Sequence, residues 1–80
     1  MILTYTNHAR RRMRQRRIAE SDIENALSDY IERITTPKSS IRYRGPGLSG
    51  AILKVWVVPD AAPSSDKIIK SVAWDGVDDD

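Results

Sequence analysis

Ala51-Ile52-Leu53-Lys54-Val55-Trp56-Val57-Val58 is the stretch that decides the architecture. Leu53, Val55 and Val57 alternate with Ile52, Lys54, Trp56 and Val58, so the segment has strand periodicity. Both sets are largely apolar, which places the strand inside a sheet rather than at its edge. Just upstream, Ser40–Arg44 alternates as well, with Ile41 and Tyr43 on one side and Arg42 and Arg44 on the other. Gly45-Pro46-Gly47-Leu48-Ser49-Gly50 joins the two strands as a turn. Tyr30–Thr36 is β-prone and stops at Pro37. Downstream, Pro59–Asp66 is a polar, mobile hairpin loop, Lys67–Trp74 is a last strand, and Asp75–Asp80 is a frayed acidic tail.

The N-terminal third has a different period. Ile2–Tyr5 is a short edge strand. Thr6 is placed to cap a helix over about residues 7–16, in which Ala9 and Met13 share the buried face. His8, Arg12 and Arg16 form a stripe beside that face, and Arg10, Arg11, Arg14 and Gln15 lie further round. Ile18 would leave the apolar face, so the helix breaks near Arg17. Ser21-Asp22-Ile23-Glu24 has the form of a capping box for a second, short helix that ends by Asp29, with Ile23, Ala26 and Leu27 buried.

The order is β-α-α-β-β-β-β. This is an α+β fold in which the N-terminal strand and an αα-hairpin pack on one face of an antiparallel sheet of four to five strands. One domain covers 1–74, and 75–80 is the tail. The uncovered face would carry Arg42, Arg44, Lys54 and Trp56, with Lys70 and Trp74 as further candidates. Strand alternation alone sets that assignment, and a single bulge would invert it.

Eighty residues bury a small core, with stability of several kcal/mol at most. The chain has no cysteine and one histidine, so disulfides, thiolate chemistry and a dedicated zinc site are not expected, and no cofactor is implied. No apolar run is long enough for a signal peptide or a bilayer span, so a cytoplasmic location is expected. The net charge of +2 hides segregation. Residues 1–17 carry six positive charges and no acid, 18–32 five acids and no base, and 33–54 five bases and no acid. From residue 55 there are six acids against Lys67 and Lys70. So much guanidinium in one run points to a polyphosphate partner.

The run His8-Ala9-Arg10-Arg11-Arg12-Met13-Arg14-Gln15-Arg16-Arg17-Ile18 resembles a family of small bacterial domains of unknown function that carry the motif H-A-x-x-R-M-x-x-R-[G]-I. Ile23-Glu24-Asn25-Ala26-Leu27, Arg42-Tyr43-Arg44-Gly45 and Ile68–Trp74 match the family's later pieces, so the resemblance spans about residues 2–74. The family is grouped with the RelE/ParE-like toxin superfamily. The resemblance therefore implies a toxin of a toxin–antitoxin system, a metal-independent endoribonuclease acting on RNA or at the ribosome. It also implies an antitoxin partner, with a homodimer as a further option. Two positions depart from the pattern. Arg17 stands where the family has a helix-terminating glycine, and Ala19 stands where Ser or Thr is common.

Such cleavage needs a base at the 2′-hydroxyl, positive charge for the phosphate and an acid for the leaving oxygen. His8 is the one conventional base. A helix N-terminus and neighbouring arginines both disfavour its imidazolium, so the ring should be neutral at pH 7. His8, Arg12 and Arg42 are the candidate catalytic residues; Arg11, Arg16, Arg44, Lys54 and Trp56 are the candidate nucleic-acid contacts. Simpler readings stand beside these. A lone histidine without a visible partner fits a structural helix-start residue somewhat better than a catalyst. The stripe arginines could bridge to Glu20, Asp22 or Glu24, and at least one tryptophan fits the sheet core. The whole chain has two alternative readings: a non-enzymatic nucleic-acid-binding or protein-complex domain of the same fold, and a gyrase-directed ParE-like toxin.

Overall fold

A computed structural model of the chain describes residues 1–58 and 62–76. Seven elements run in the order β1 (Leu3–Tyr5), α1 (Asn7–Arg16), α2 (Glu20–Ser28), β2 (Glu32–Thr35), β3 (Ile41–Pro46), β4 (Ile52–Val58) and β5 (Lys67–Trp74). The strands form one sheet in the order β1-β5-β4-β3-β2. The strand whose two faces are both apolar is thus central, flanked by β5 and β3. β2 to β5 form an antiparallel meander. β1 differs from the all-antiparallel expectation: it adds to β5 in parallel, Leu3 beside Lys67 and Tyr5 beside Ile69, making the sheet mixed. A chain that leaves β1 through two helices and three strands before reaching β5 is free to dock it in either direction.

The core lies between the helices and one sheet face. Ala9, Met13, Ile18, Ile23, Ala26 and Leu27 pack against Tyr43, Leu53, Val55, Val57, Ile69 and Val72. Leu53, Val55 and Val57 are completely buried, as their shared side of the strand requires. Trp74 pairs with Leu53, packs against this cluster and donates its indole N–H to the Arg16 carbonyl (2.8 Å). It therefore belongs to the covered face and not to the open one. Gly45 lets α2 lie directly on β3, since a Cβ there would sit 2.3 Å from the Ala26 carbonyl oxygen.

Helix boundaries are set by local chemistry. Thr6 caps α1 by accepting from the Ala9 N–H (3.0 Å). The capping box of α2 is displaced from the expected Ser21/Glu24 pair. Ala19 is the N-cap, and Asp22, three residues on, accepts from its backbone N–H (3.0 Å). The other Asp22 oxygen accepts from the Leu48 N–H (2.9 Å), so one carboxylate ties the helix start to the β3–β4 turn. Between the helices Arg10 donates to Glu20 (2.9 Å) and lies over the Tyr5 ring at 4.6 Å.

α1 stops at Arg17, which adopts the left-handed conformation (φ 55, ψ 49). The turn a glycine would favour is kept, at the steric cost of a Cβ. Arg17→Gly should therefore stabilise the fold by about 0.5–1 kcal/mol, raising Tm by roughly 2–8 °C. A lower Tm on thermal melting would show that the arginine side chain contributes more than its backbone strain costs.

The β4–β5 connection is described from Ala62 onward; residues 59–61, to which its expected mobility also applied, lie outside the described residues. The described part is a turn tied by the Lys67 ammonium, which donates to the Ala62 carbonyl (3.0 Å) and approaches the Tyr43 ring (5.3 Å). Of the acidic tail, Asp75 and Gly76 are described and 77–80 are not. Among the described residues no helix is long and apolar enough to cross a membrane.

Candidate nucleic-acid interface

β1 covers only the start of the outer edge of β5, residues 67–69. Beyond it the edge carbonyls need donors. α1 runs along this edge and supplies them. Thr6 Oγ1 donates to the Lys70 carbonyl (3.1 Å), and Arg16 Nη1 donates to the Val72 carbonyl (2.8 Å). Ala9 and Met13 turn into the core, and Arg10 turns toward α2. The His8/Arg12/Arg16 stripe is left facing the other way, toward the sheet face that α2 does not cover.

A register shift at Trp56/Val57 sits opposite Lys70, which is skipped in the pairing of β4 with β5. The expectation that one bulge would disturb the face assignment applies here: Ser71 and Ala73 share the open face with Trp56 and Lys54, while Ile69 and Val72 both face the core.

The third wall is the β2–β3 turn. Thr36 and Ser40 close it with a backbone bond (2.8 Å) and a hydroxyl–hydroxyl bond (2.8 Å). Ser39 is held at φ 61, a strained position that fixes the tip. Together these walls enclose a cleft of about 350 Å³. His8 and Arg16 line it from α1, Lys38 and Pro37 from the turn, and Trp56, Lys70 and Ser71 from the sheet. Among the described residues no carboxylate lines it.

His8, Arg16 and Trp56, all expected at the site, thus meet in one cleft. Arg42 lies beside it, opposite Trp56 on β3. Arg12 sits on the stripe between His8 and Arg16 and donates to Gln15 (2.8 Å). Arg44 and Lys54 face each other farther along the open face, and Arg11 is exposed on α1 and does not line the cleft. The open face is less uniformly basic than alternation implied. Glu32 accepts from Arg42 (2.6 Å) and pairs with Arg44 (3.5 Å), and Asp75 takes the other Arg44 nitrogen (3.0 Å). The Arg42 hydrogen bond, with the Arg44 charge, holds the Glu32 carboxyl below its usual range. The cleft groups Arg16, Lys38 and Lys70 with no carboxylate among the described residues of its lining. Lys38 was not among the expected site residues, because it sits in a turn whose Pro, Ser and Thr composition looks like ordinary loop.

His8 titrates below its ordinary value. Partial desolvation is the largest cause, followed by the charges of Arg12, Arg11 and Arg16. At pH 7 the ring is a neutral base among permanent cations.

The family model described as Domain of unknown function (DUF4258) matches residues 5–74. The chain belongs to this DUF4258 family. The match begins on the last residue of β1 and ends on the last residue of β5, so it includes every wall of the cleft. No curated protein and no solved structure matches this DUF4258 domain.

Proposed function

We propose that the cleft binds single-stranded RNA and cuts its backbone without a metal, in the manner of a RelE/ParE-like toxin. The observation that carries this reading is a neutral imidazole placed with three cations and a tryptophan in a cleft that, among the described residues, no carboxylate lines. The β-α-α-β-β-β-β order and the His8–Ile18 motif support the grouping.

In this reading His8 removes the proton of a 2′-hydroxyl, and the 2′-oxygen attacks the adjacent phosphorus. Arg16, Lys38 and Lys70 stabilise the charge on the phosphoryl oxygens. The P–O5′ bond breaks, the leaving oxygen takes a proton from an ammonium of the cleft or from solvent, and a 2′,3′-cyclic phosphate remains. Trp56 offers a face on which an unstacked base can lie, an interaction of about 1–3 kcal/mol per base.

The test compares an RNA oligonucleotide with its all-deoxy counterpart. Both should bind, with log K falling against log salt at a slope near −2, since about three phosphates are neutralised on a single strand. Only the RNA should be cut. Cleavage of the deoxy strand at the same rate would eliminate the 2′-hydroxyl mechanism. Induced expression in a bacterial host should arrest growth if the chain is a toxin.

One observation favours the non-enzymatic alternative. Arg16, Arg42 and Arg44 each already hold a structural acceptor, namely the Val72 carbonyl, Glu32, and Glu32 with Asp75. Salt-dependent binding of RNA with no cleavage products would select that alternative.

A further inference from the structure

β2 ends the sheet, and among the described residues no strand pairs with its outer side. The usual protections of such an edge are missing from it. No lysine, proline or bulge interrupts Glu32–Thr35. Its two charges are turned to the faces of the sheet rather than across the edge. Glu32 is held by Arg42 and Arg44 on the open face, and Arg33 Nε donates to the Tyr43 hydroxyl (3.0 Å) on the covered one. Ile34 is 40% exposed, and Ile31, just before the strand, is 62% exposed.

An exposed strand edge accepts another strand. A second copy of β2 fits it in one register. The Thr36 N–H donates to the Ser40 carbonyl (2.8 Å), so by strand alternation residues 32, 34 and 36 bond toward β3, and Arg33 and Thr35 turn their backbone groups outward. Residues opposite each other share a sheet face, and neighbours along a strand do not. A two-fold axis relating two copies must therefore pass through a residue, not between two. On Glu32 or on Arg33 the axis would set like charges opposite each other. On Thr35 it would set Arg33 against Pro37, which has no N–H to give. On Ile34 it sets Ile34 against its own copy and Arg33 against Thr35 of the second copy, whose backbones exchange both hydrogen bonds. Ile31 then lies alongside the exposed Pro37 of the second copy.

We propose that the chain self-associates by antiparallel β2–β2 pairing centred on Ile34, which joins two five-stranded sheets into one. The Arg33 side chain keeps its contact with Tyr43 in this arrangement. The axis is perpendicular to the sheet, so both open faces look the same way. Trp56 is opposite Arg42, and Arg42 is opposite Ile34. That row continues across the axis into the same row of the second copy. It sets the two Trp56 positions five strand spacings apart, about 24 Å. A contact confined to one strand edge falls short of the roughly 800 Å² per partner of a stable complex, so association is weak and depends on concentration. Pairing itself needs no assumption about a ligand. Its consequence, one RNA strand engaging both clefts, rests on the RNA-binding reading above.

The chain has no cysteine, so single-cysteine variants report the register directly. Two copies of residue 34 on the axis form a non-hydrogen-bonded pair with Cα atoms about 4.5 Å apart, within disulfide reach. I34C should therefore oxidise to a covalent dimer, whereas T35C, about 9 Å from its own copy, should not. Sedimentation of the wild-type chain from ~10 µM to ~1 mM should show a rising dimer fraction. Ile34→Lys, which brings two ammonium groups to the axis, should weaken association about tenfold or more. A wild-type chain that stays monomeric over this range would overturn the proposal and leave the edge to an extended segment of another protein. So would T35C cross-linking as fast as I34C, or Ile34→Lys dimerising like the wild type. For the consequence, the oxidised I34C dimer should bind a single-stranded RNA of about twenty nucleotides more tightly than its reduced form does, while a tetranucleotide binds both alike. If no form binds RNA while I34C still cross-links selectively, the pairing stands and the RNA reading falls.

Discussion

Gly45→Ala is expected to abolish the folded state or to lower Tm by well over 10 °C. An added Cβ would meet three backbone atoms of α2 and the turn after it: the Ala26 oxygen at 2.3 Å, the Ala26 carbon at 3.0 Å and Tyr30 Cα at 3.0 Å. None of these can swing aside as a side chain would. The helix as a whole must lift from β3, loosening Ile23, Ala26 and Leu27 over Tyr43 and Leu53. Overpacking of this kind costs about 1–3 kcal/mol when side chains can adjust, and more when backbone is struck. An 80-residue domain has a total stability of only several kcal/mol. Gly50→Ala is the control. Gly50 has φ 93 with nothing within 4 Å of the added Cβ, so only backbone strain of about 1 kcal/mol is at stake. Circular dichroism melts of the two variants should separate them clearly. Gly45→Ala melting within a few degrees of Gly50→Ala would mean that α2 does not press on β3 as described.

The residues that forecast this architecture are those with strong local periodicity. α1 and β5 occupy the residues expected, because Thr6 caps one and Ile68, Ile69, Val72 and Trp74 give the other its strand character. The central place of β4 is explained by apolar residues on both its faces. Other features depend on long-range contacts that a local pattern does not encode. A three-residue β1 has too few residues to specify its direction against β5. The cap of α2 escapes the usual pattern because Ala19 has no side-chain acceptor. The Asp22 carboxylate makes the reciprocal bond, and it also reaches Leu48, distant in sequence. The cleft was half legible. His8, Arg16 and Trp56 stood out by residue type, but the wall formed by the Thr36–Ser40 turn and the bulge at Lys70 become visible only once the strands are paired. Glu32 and Asp75 changed the meaning of two arginines, Arg42 and Arg44, because the ion pairs join residues on different strands and at the sheet end.

The catalytic reading stands or falls on His8. With RNA as substrate, His8→Ala should lower the single-turnover cleavage rate by about 10²–10⁴-fold, the contribution typical of a positioned general base. Its affinity for the uncleavable deoxy strand should stay within about twofold, because a neutral ring adds no counterion release. The pH profile supplies the second half of the argument. Desolvation and the charges of Arg12, Arg11 and Arg16 lower the His8 pKa from its ordinary 6.5. The base is therefore lost only when pH falls through that depressed value, so the acid limb of the wild-type rate should have its midpoint below 6.5. Replacing Arg12, whose charge is the largest of the three arginine contributions, should move that midpoint upward, toward the ordinary value. In His8→Ala the limb should vanish and the residual rate should not respond to pH in this range. Rate and profile separate the roles: a histidine that only anchors the start of α1 would, on replacement, lower stability and leave both the limb and its response to Arg12 in place. If Arg12→Gln leaves the midpoint where it was, or if His8→Ala cuts RNA as fast as wild type while folded, His8 is not the base, and the cleft is a binding surface alone.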